Sequence, residues 1–186
     1  MSASPYENAL RIAEELRRAL THTSPVEGEA LVEAILAARG AFCSGQGRSG
    51  LMVKAFAMRL VHLGLNAHVV GETTTPAIGP GDLLVVATGS GRTRTTLAIV
   101  EAARERGARV ACLTAHPASP IAQASDLVVE LHGPIAWDAP HGKSVQPPGS
   151  LFEQALLICC DAVVMSLMER LGTTEEEMRA RHTKLE

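Results

Sequence analysis

Five short apolar runs set the strongest limit on this fold: AFCSG (41–45), AHVVG (67–71), DLLVVAT (82–88), RVACLT (109–114) and DLVVEL (126–131). They are continuous rather than alternating, as strands buried on both faces of a parallel sheet are. Helix-period segments at 50–64 and 95–107 follow the first and the third of the central runs. Gly64 and Gly107 stand where helix-terminating glycines belong. This rhythm, with right-handed crossovers, predicts an α/β protein: a three-layer α/β/α sandwich on a five-stranded parallel sheet. Helices are also predicted at 5–20, 26–38 and 151–172, the last apolar almost all round and therefore buried. A charged helix follows a capping box from Thr174 to Glu177. The 186 residues suit one domain, with N-terminal helices over 1–40, a β/α core over 41–131 and C-terminal helices over 151–186. Between the last two, 132–150 holds four of the ten prolines, so it reads as a long loop that is functional or mobile.

Charge and composition remove several classes of function. The net charge of −3 offers no basic field to nucleic acid. Residues 1–20 are charged throughout and lack the apolar stretch of a signal peptide. No apolar run of membrane-spanning length is expected, so the chain reads as soluble and cytoplasmic, with no membrane partner. Cys43, Cys112, Cys159 and Cys160 lie in apolar segments and read as reduced core residues. No His or Cys spacing suits a metal.

Two glycine-rich loops follow predicted strands and enter predicted helices. One is SGQGRSG (44–50), the other TGSGRTRTT (88–96). Ligands of open α/β sheets bind at the carboxyl ends of strands, and helix N-termini favour phosphate. The first loop contains G-x-G-x-x-G, and Glu72 follows the second run near where a ribose-binding acid belongs, so a dinucleotide site is one reading. The second loop clusters the hydroxyls of Thr88, Ser90, Thr93, Thr95 and Thr96 around two glycines, with Arg48, Arg92 and Arg94 nearby. Hydroxyl and backbone donors packed so closely describe a cradle for a terminal phosphate, which a dinucleotide does not need. Ordinary turn and cap chemistry would use the same residue types.

The segments GQGRSGLMVKAFAMRLVHLG, VVGETTTPAI, GDLLVVATGSGRTRTT, PPGSLFEQALLICCDAVV and LMERLGTTEEEMRARHTKLE together resemble the 6-phospho-3-hexuloisomerases of the sugar isomerase (SIS) domain family. The resemblance runs from about residue 5 to the C-terminus. Gln46 departs from it where a small residue is usual, and Arg92 where Glu is usual. The resemblance implies a Rossmann-like SIS fold, no cofactor and no metal, and a homotetramer with active sites at subunit contacts. It also implies interconversion of D-arabino-hex-3-ulose 6-phosphate and D-fructose 6-phosphate in the ribulose monophosphate route of formaldehyde fixation. SIS domains also serve as non-catalytic sugar-phosphate sensors, which is the alternative.

Moving a ketone from C3 to C2 through a cis-enediol needs a base close to both carbons. Glu153 is the candidate, in the first turn of the apolar helix after PPGS. The competing reading is an S-x-x-E capping box with Ser150. His182 sits in the charged C-terminal segment. In related SIS isomerases a late histidine reaches the active site across a subunit contact, so His182 is the second catalytic candidate. For the phosphate the expected contacts are Ser49, Ser90 and Thr93, with Thr88, Thr95, the N–H groups of Gly89 and Gly91, and Arg92 alongside. Arg48 is expected on sugar or phosphate. Glu72 is either a pocket carboxylate or a turn residue.

Overall fold

The computed structural model describes residues 3–133 and 143–184. Its elements run α1 (Pro5–Leu20), α2 (Pro25–Ala37), β1 (Ala41–Gly45), α3 (Gly47–His62), β2 (Ala67–Val69), β3 (Leu83–Ala87), α4 (Arg94–Glu105), β4 (Arg109–Thr114), α5 (Pro120–Gln123), β5 (Leu127–Glu130), α6 (Ser150–Leu171) and α7 (Glu175–Ala180). Local chemistry sets several boundaries. Ser4 and Glu7 form a reciprocal capping box at the start of α1, and Thr174 and Glu177 form the one that the sequence predicts at α7. Gly64 and Gly107 turn left-handed just beyond α3 and α4, at φ of 86° and 78°.

All four strand pairings are parallel, in the order β2-β1-β3-β4-β5. Alternate residues of each strand face opposite cores. Cys43, Val85, Ala111 and Leu113 pack with α2, α3 and α6, while Phe42, Leu84, Val86, Val110 and Cys112 pack with α4 and α5. The three-layer α/β/α sandwich follows, because the three central strands β1, β3 and β4 bury both their faces. On the first face, Phe56 of α3 and Phe152 of α6 are fully buried in one core cluster. The two helices lie side by side there.

Three expectations need correction. The charged C-terminal helix is short, ending at Ala180, so His182 lies beyond it. The four-residue α5 is not visible as a period; its Ser119 cap and Pro120 at the first helical position are its only signals. A membrane-length apolar helix is present after all, since α6 is long and apolar enough to cross a bilayer. Here its apolar side is core: Leu151, Phe152, Ala155, Leu156, Cys160 and Leu167 are buried. The four cysteines are buried and unpaired, and burial pushes the Cys43 thiol up to about 12. The middle of the proline-containing loop, including Trp137 and His141, lies outside the described residues.

Candidate active site

The strand order reverses between β1 and β3, because β1 leads through α3 to one side and β3 leads through α4 to the other. A crevice opens at such a switch point, beyond the carboxyl ends of the two strands. Gly45 pairs with Ala87 in register, so both glycine loops leave the sheet side by side. The first is tighter than its sequence suggests. Helix α3 begins at Gly47 rather than near residue 50, which puts Arg48 and Ser49 in its first turn. Close backbone approach explains this. A Cβ on Gly50 would stand 2.6 Å from the Gly45 carbonyl oxygen, and one on Gly45 would stand 3.1 Å from the Gly50 backbone. Glycine at both positions lets helix and strand touch.

The second loop is braced from within. The Gly91 N–H donates to Thr88 Oγ1 at 3.2 Å, and the Arg92 N–H to Ser90 Oγ at 3.3 Å. The Gly89 carbonyl accepts from Thr114 Oγ1 at 3.2 Å and from the Ala115 N–H at 3.3 Å. Gly91 has a φ of 62°, and a Cβ there would overlap the Ser119 side chain. Thr88 and Gly91, expected as phosphate contacts, are therefore engaged in holding the loop's shape. Ser90 and Thr93 are partly exposed, and Thr95 and Arg92 are exposed. Thr93 is the N-cap residue of α4, but its hydroxyl makes no capping bond; it faces Thr88 Oγ1 at 3.5 Å, at the helix N-terminus.

The third component comes from α6. Gly149, left-handed at φ 84°, is the N-cap residue, and Ser150 is the first helical residue. The S-x-x-E capping box is absent. Ser150 Oγ instead accepts from Arg48 Nη1 at 2.9 Å. Glu153 Oε2 lies 2.9 Å from the same nitrogen. The contact is an ion pair, not an aligned hydrogen bond: Oε2 is buried and has no hydrogen-bond partner. Only 15% of the Glu153 side chain is exposed, against 55% for Arg48. A carboxylate oxygen held beside a guanidinium, with its lone pairs directed at no donor, is well placed to take a proton from a bound ligand. Sequence reasoning missed Ser150 as an Arg48 partner. It also missed the bracing by Thr114 and Ser119, whose only signal was their place at the carboxyl end of β4 and just beyond it.

Two candidates stand apart from this cluster. Glu72 lies in the turn after β2, half exposed, with Lys54 Nζ at 3.7 Å. His182 packs at the opposite end of α3 from Arg48, beside His62, which is roughly 21 Å along the helix axis from Arg48 at about 1.5 Å per residue. Its ring stands 5.0 Å from that of His62, and Arg181 Nη1 donates to the His62 carbonyl at 3.1 Å. His62 is buried there. Burial, then the charges of His182 and Arg59, hold its imidazole below the ordinary histidine value. Folding thus favours neutral His62, while the unfolded chain takes up that proton near pH 6.5. Stability is therefore expected to fall as pH drops below about 6.5. Thermal melts between pH 7.5 and 5.5 check this; His62→Gln should flatten that slope, and an unchanged slope would assign it to other groups.

Among the described residues no group of three His, Cys, Asp or Glu side chains is placed to share a metal ion.

Known proteins are similar to this chain along nearly its whole length. A family model described as the SIS domain matches residues 34–158. A 3-hexulose-6-phosphate isomerase of Bacillus subtilis (strain 168) is 42% identical over 182 residues, covering 97% of this chain and 98% of the relative. A protein of the same name from Mycobacterium gastri is 41% identical over 181 residues, covering 96% of this chain and 90% of the relative. Among solved structures, a hypothetical protein from Methanococcus jannaschii matches with a TM-score of 0.83 at 31% identity, covering 97% of this chain and 99% of that one. Its structure was taken to infer a molecular function of 3-hexulose-6-phosphate isomerase.

Proposed function

The chain belongs to the SIS domain family, and from that premise we propose that it is a sugar-phosphate isomerase interconverting D-arabino-hex-3-ulose 6-phosphate and D-fructose 6-phosphate. The observation that carries the reading is the Arg48–Glu153 pair, set beside two glycine loops at the switch point of the sheet. In this reading the phosphate rests on Ser90, Thr93 and Thr95 at the N-terminus of α4, with Ser49 across the crevice and the Arg92 charge at the rim. Glu153 removes the proton from C2 of the hexulose. Electrons move to form the C2–C3 double bond, and the C3 oxygen gains a proton to give the cis-enediol. Collapse toward C2 returns the carbon-bound proton from Glu153 to C3, while the C2 hydroxyl proton leaves. Arg48 stabilises negative charge as it develops on the enediol oxygens.

The proton traffic on oxygen needs a second group. His182 is the candidate, supplied by another copy of the chain, since its own chain holds it at the far end of α3. The reading therefore includes a homotetramer and a place in formaldehyde fixation by the ribulose monophosphate route.

The test is a coupled assay. Hexulose phosphate made from formaldehyde and ribulose 5-phosphate by the cognate synthase should become fructose 6-phosphate when the pure protein is added, with no metal or cofactor supplied. Saturable sugar-phosphate binding without turnover would replace this reading with a sensor module. Tight NAD binding that fructose 6-phosphate does not displace would return the first glycine loop to the dinucleotide reading.

A further inference from the structure

We propose that Glu15, on the N-terminal helix α1, is a positioning residue for the Glu153 carboxylate, acting through the loop that feeds α6. The proposal rests on the reading of Glu153 as the base. Glu15 is buried, only 9% exposed, on a helix whose other acidic groups face solvent. Among the described residues it accepts three hydrogen bonds, all from that loop. Ser144 Oγ donates to Oε2 at 2.9 Å, the Val145 N–H to Oε1 at 3.0 Å, and Gln146 Nε2 to Oε2 at 3.1 Å. Burial alone would raise its pKa. The bonds from Val145, Ser144 and Gln146, together with the charge of Arg18, outweigh burial and hold it below the ordinary carboxylate value. Glu15 is thus ionised at neutral pH, and charge-assisted bonds of this kind are the strong ones.

The linkage continues to the active site without a gap. The Gln146 N–H donates to Ser144 Oγ at 3.0 Å, and Gln146 Oε1 accepts from Gln154 Nε2 at 2.8 Å. Gln154 is the neighbour of Glu153. The Ser150 N–H donates to the Pro147 carbonyl at 3.1 Å, and the Glu153 N–H to the Gly149 carbonyl at 3.0 Å. Pro147 and Pro148 stiffen the segment between these anchors. Among the described residues, Glu15, His22, His132, Lys143 and Leu151 line a cavity of about 390 Å³ beside the segment. The carboxylate of Glu15 therefore fixes the direction in which the chain enters α6. That direction sets Ser150 against Arg48 and Glu153 beside it.

The experiment uses the full chain with Glu15→Ala, Glu15→Gln and Gln146→Ala, read by steady-state kinetics and by amide hydrogen exchange. Glu15→Ala is expected to lower kcat roughly 10- to 100-fold, as misplacement by about an ångström does. KM should move less than about threefold, because the 88–96 loop is untouched. Exchange over 144–153 should quicken by about tenfold or more, with 88–96 unchanged. Gln146→Ala should lower kcat in the parent chain and add little to Glu15→Ala, since the two break one linkage. Glu15→Gln keeps the volume and one acceptor oxygen; it should fall between and serves if the alanine variant does not fold. A folded Glu15 variant with parental kcat, or with parental exchange over 144–153, overturns the proposal. A fully active Glu153→Gln would instead overturn the reading of the base, while the exchange result still decides whether Glu15 anchors the loop.

Discussion

Glu153→Gln is expected to reduce kcat for hexulose 6-phosphate by roughly 10²- to 10⁴-fold, the contribution of a positioned general base. The substitution keeps shape but removes the negative charge, and with it the ion pair to Arg48 and the ability to accept a proton from carbon. Little else should change. Oε2 has no aligned hydrogen bond to lose, and its Arg48 partner is 55% exposed and stays hydrated. The melting temperature should therefore stay within a few degrees of the parent, and fructose 6-phosphate should still bind, because the 88–96 loop is untouched. Steady-state kinetics beside a thermal melt and a ligand titration test all three points. Turnover above about a tenth of the parent rate in a folded variant would move the base elsewhere, since a general base contributes at least about 10²-fold.

The second large effect is on the fold. Gly50→Ala is expected to lower the melting temperature by roughly 4–12 °C, taking about 2–3 kcal/mol for forced overpacking in a domain of this size. The obstacle is the Gly45 carbonyl, 2.6 Å from the added carbon. That oxygen belongs to the last residue of β1, paired in register with Ala87, so it cannot swing aside as a side chain could. Relief requires α3 to back away from the strand, carrying Arg48 and Ser49 with it, so kcat/KM should fall together with stability. Gly47→Ala is the control. Its Cβ meets nothing within 4 Å, and its φ of 58° costs only about 1–2 kcal/mol. If Gly50→Ala melts no lower than Gly47→Ala, close backbone approach is not what this position requires.

Much of the architecture can be read from the chain because burial on two faces leaves a local trace. Phe42 and Cys43 face opposite cores, and so do Val85 and Val86; only a strand covered on both sides needs uninterrupted apolar residues of that kind. The two glycine loops were legible for a similar reason, since strand end, glycine and helix start are contiguous. What stayed hidden depends on partners distant in sequence. Ser150 reads as a cap because S-x-x-E is a local pattern, yet its hydroxyl serves Arg48, and Gly149 takes the cap position. Thr88 and Gly91 read as ligand contacts, yet they hold one another, and Ser119 limits the space beside Gly91. His182 has no local signature at all; its position beside His62 follows from how the C-terminal segment folds back on α3.

The bond from Arg48 to Ser150 joins residues 102 apart in the chain. The junction of α3 with α6 is thus a contact of high order, whereas the 88–96 loop is closed largely by neighbours such as Thr88 and Gly91. Contacts across long stretches bear the greater entropy of loop closure and form late. Recovery of activity on refolding should accordingly trail the recovery of helix signal. During synthesis the sheet and both glycine loops are made before Glu153, so the contact of Arg48 with α6 can form only once α6 has begun.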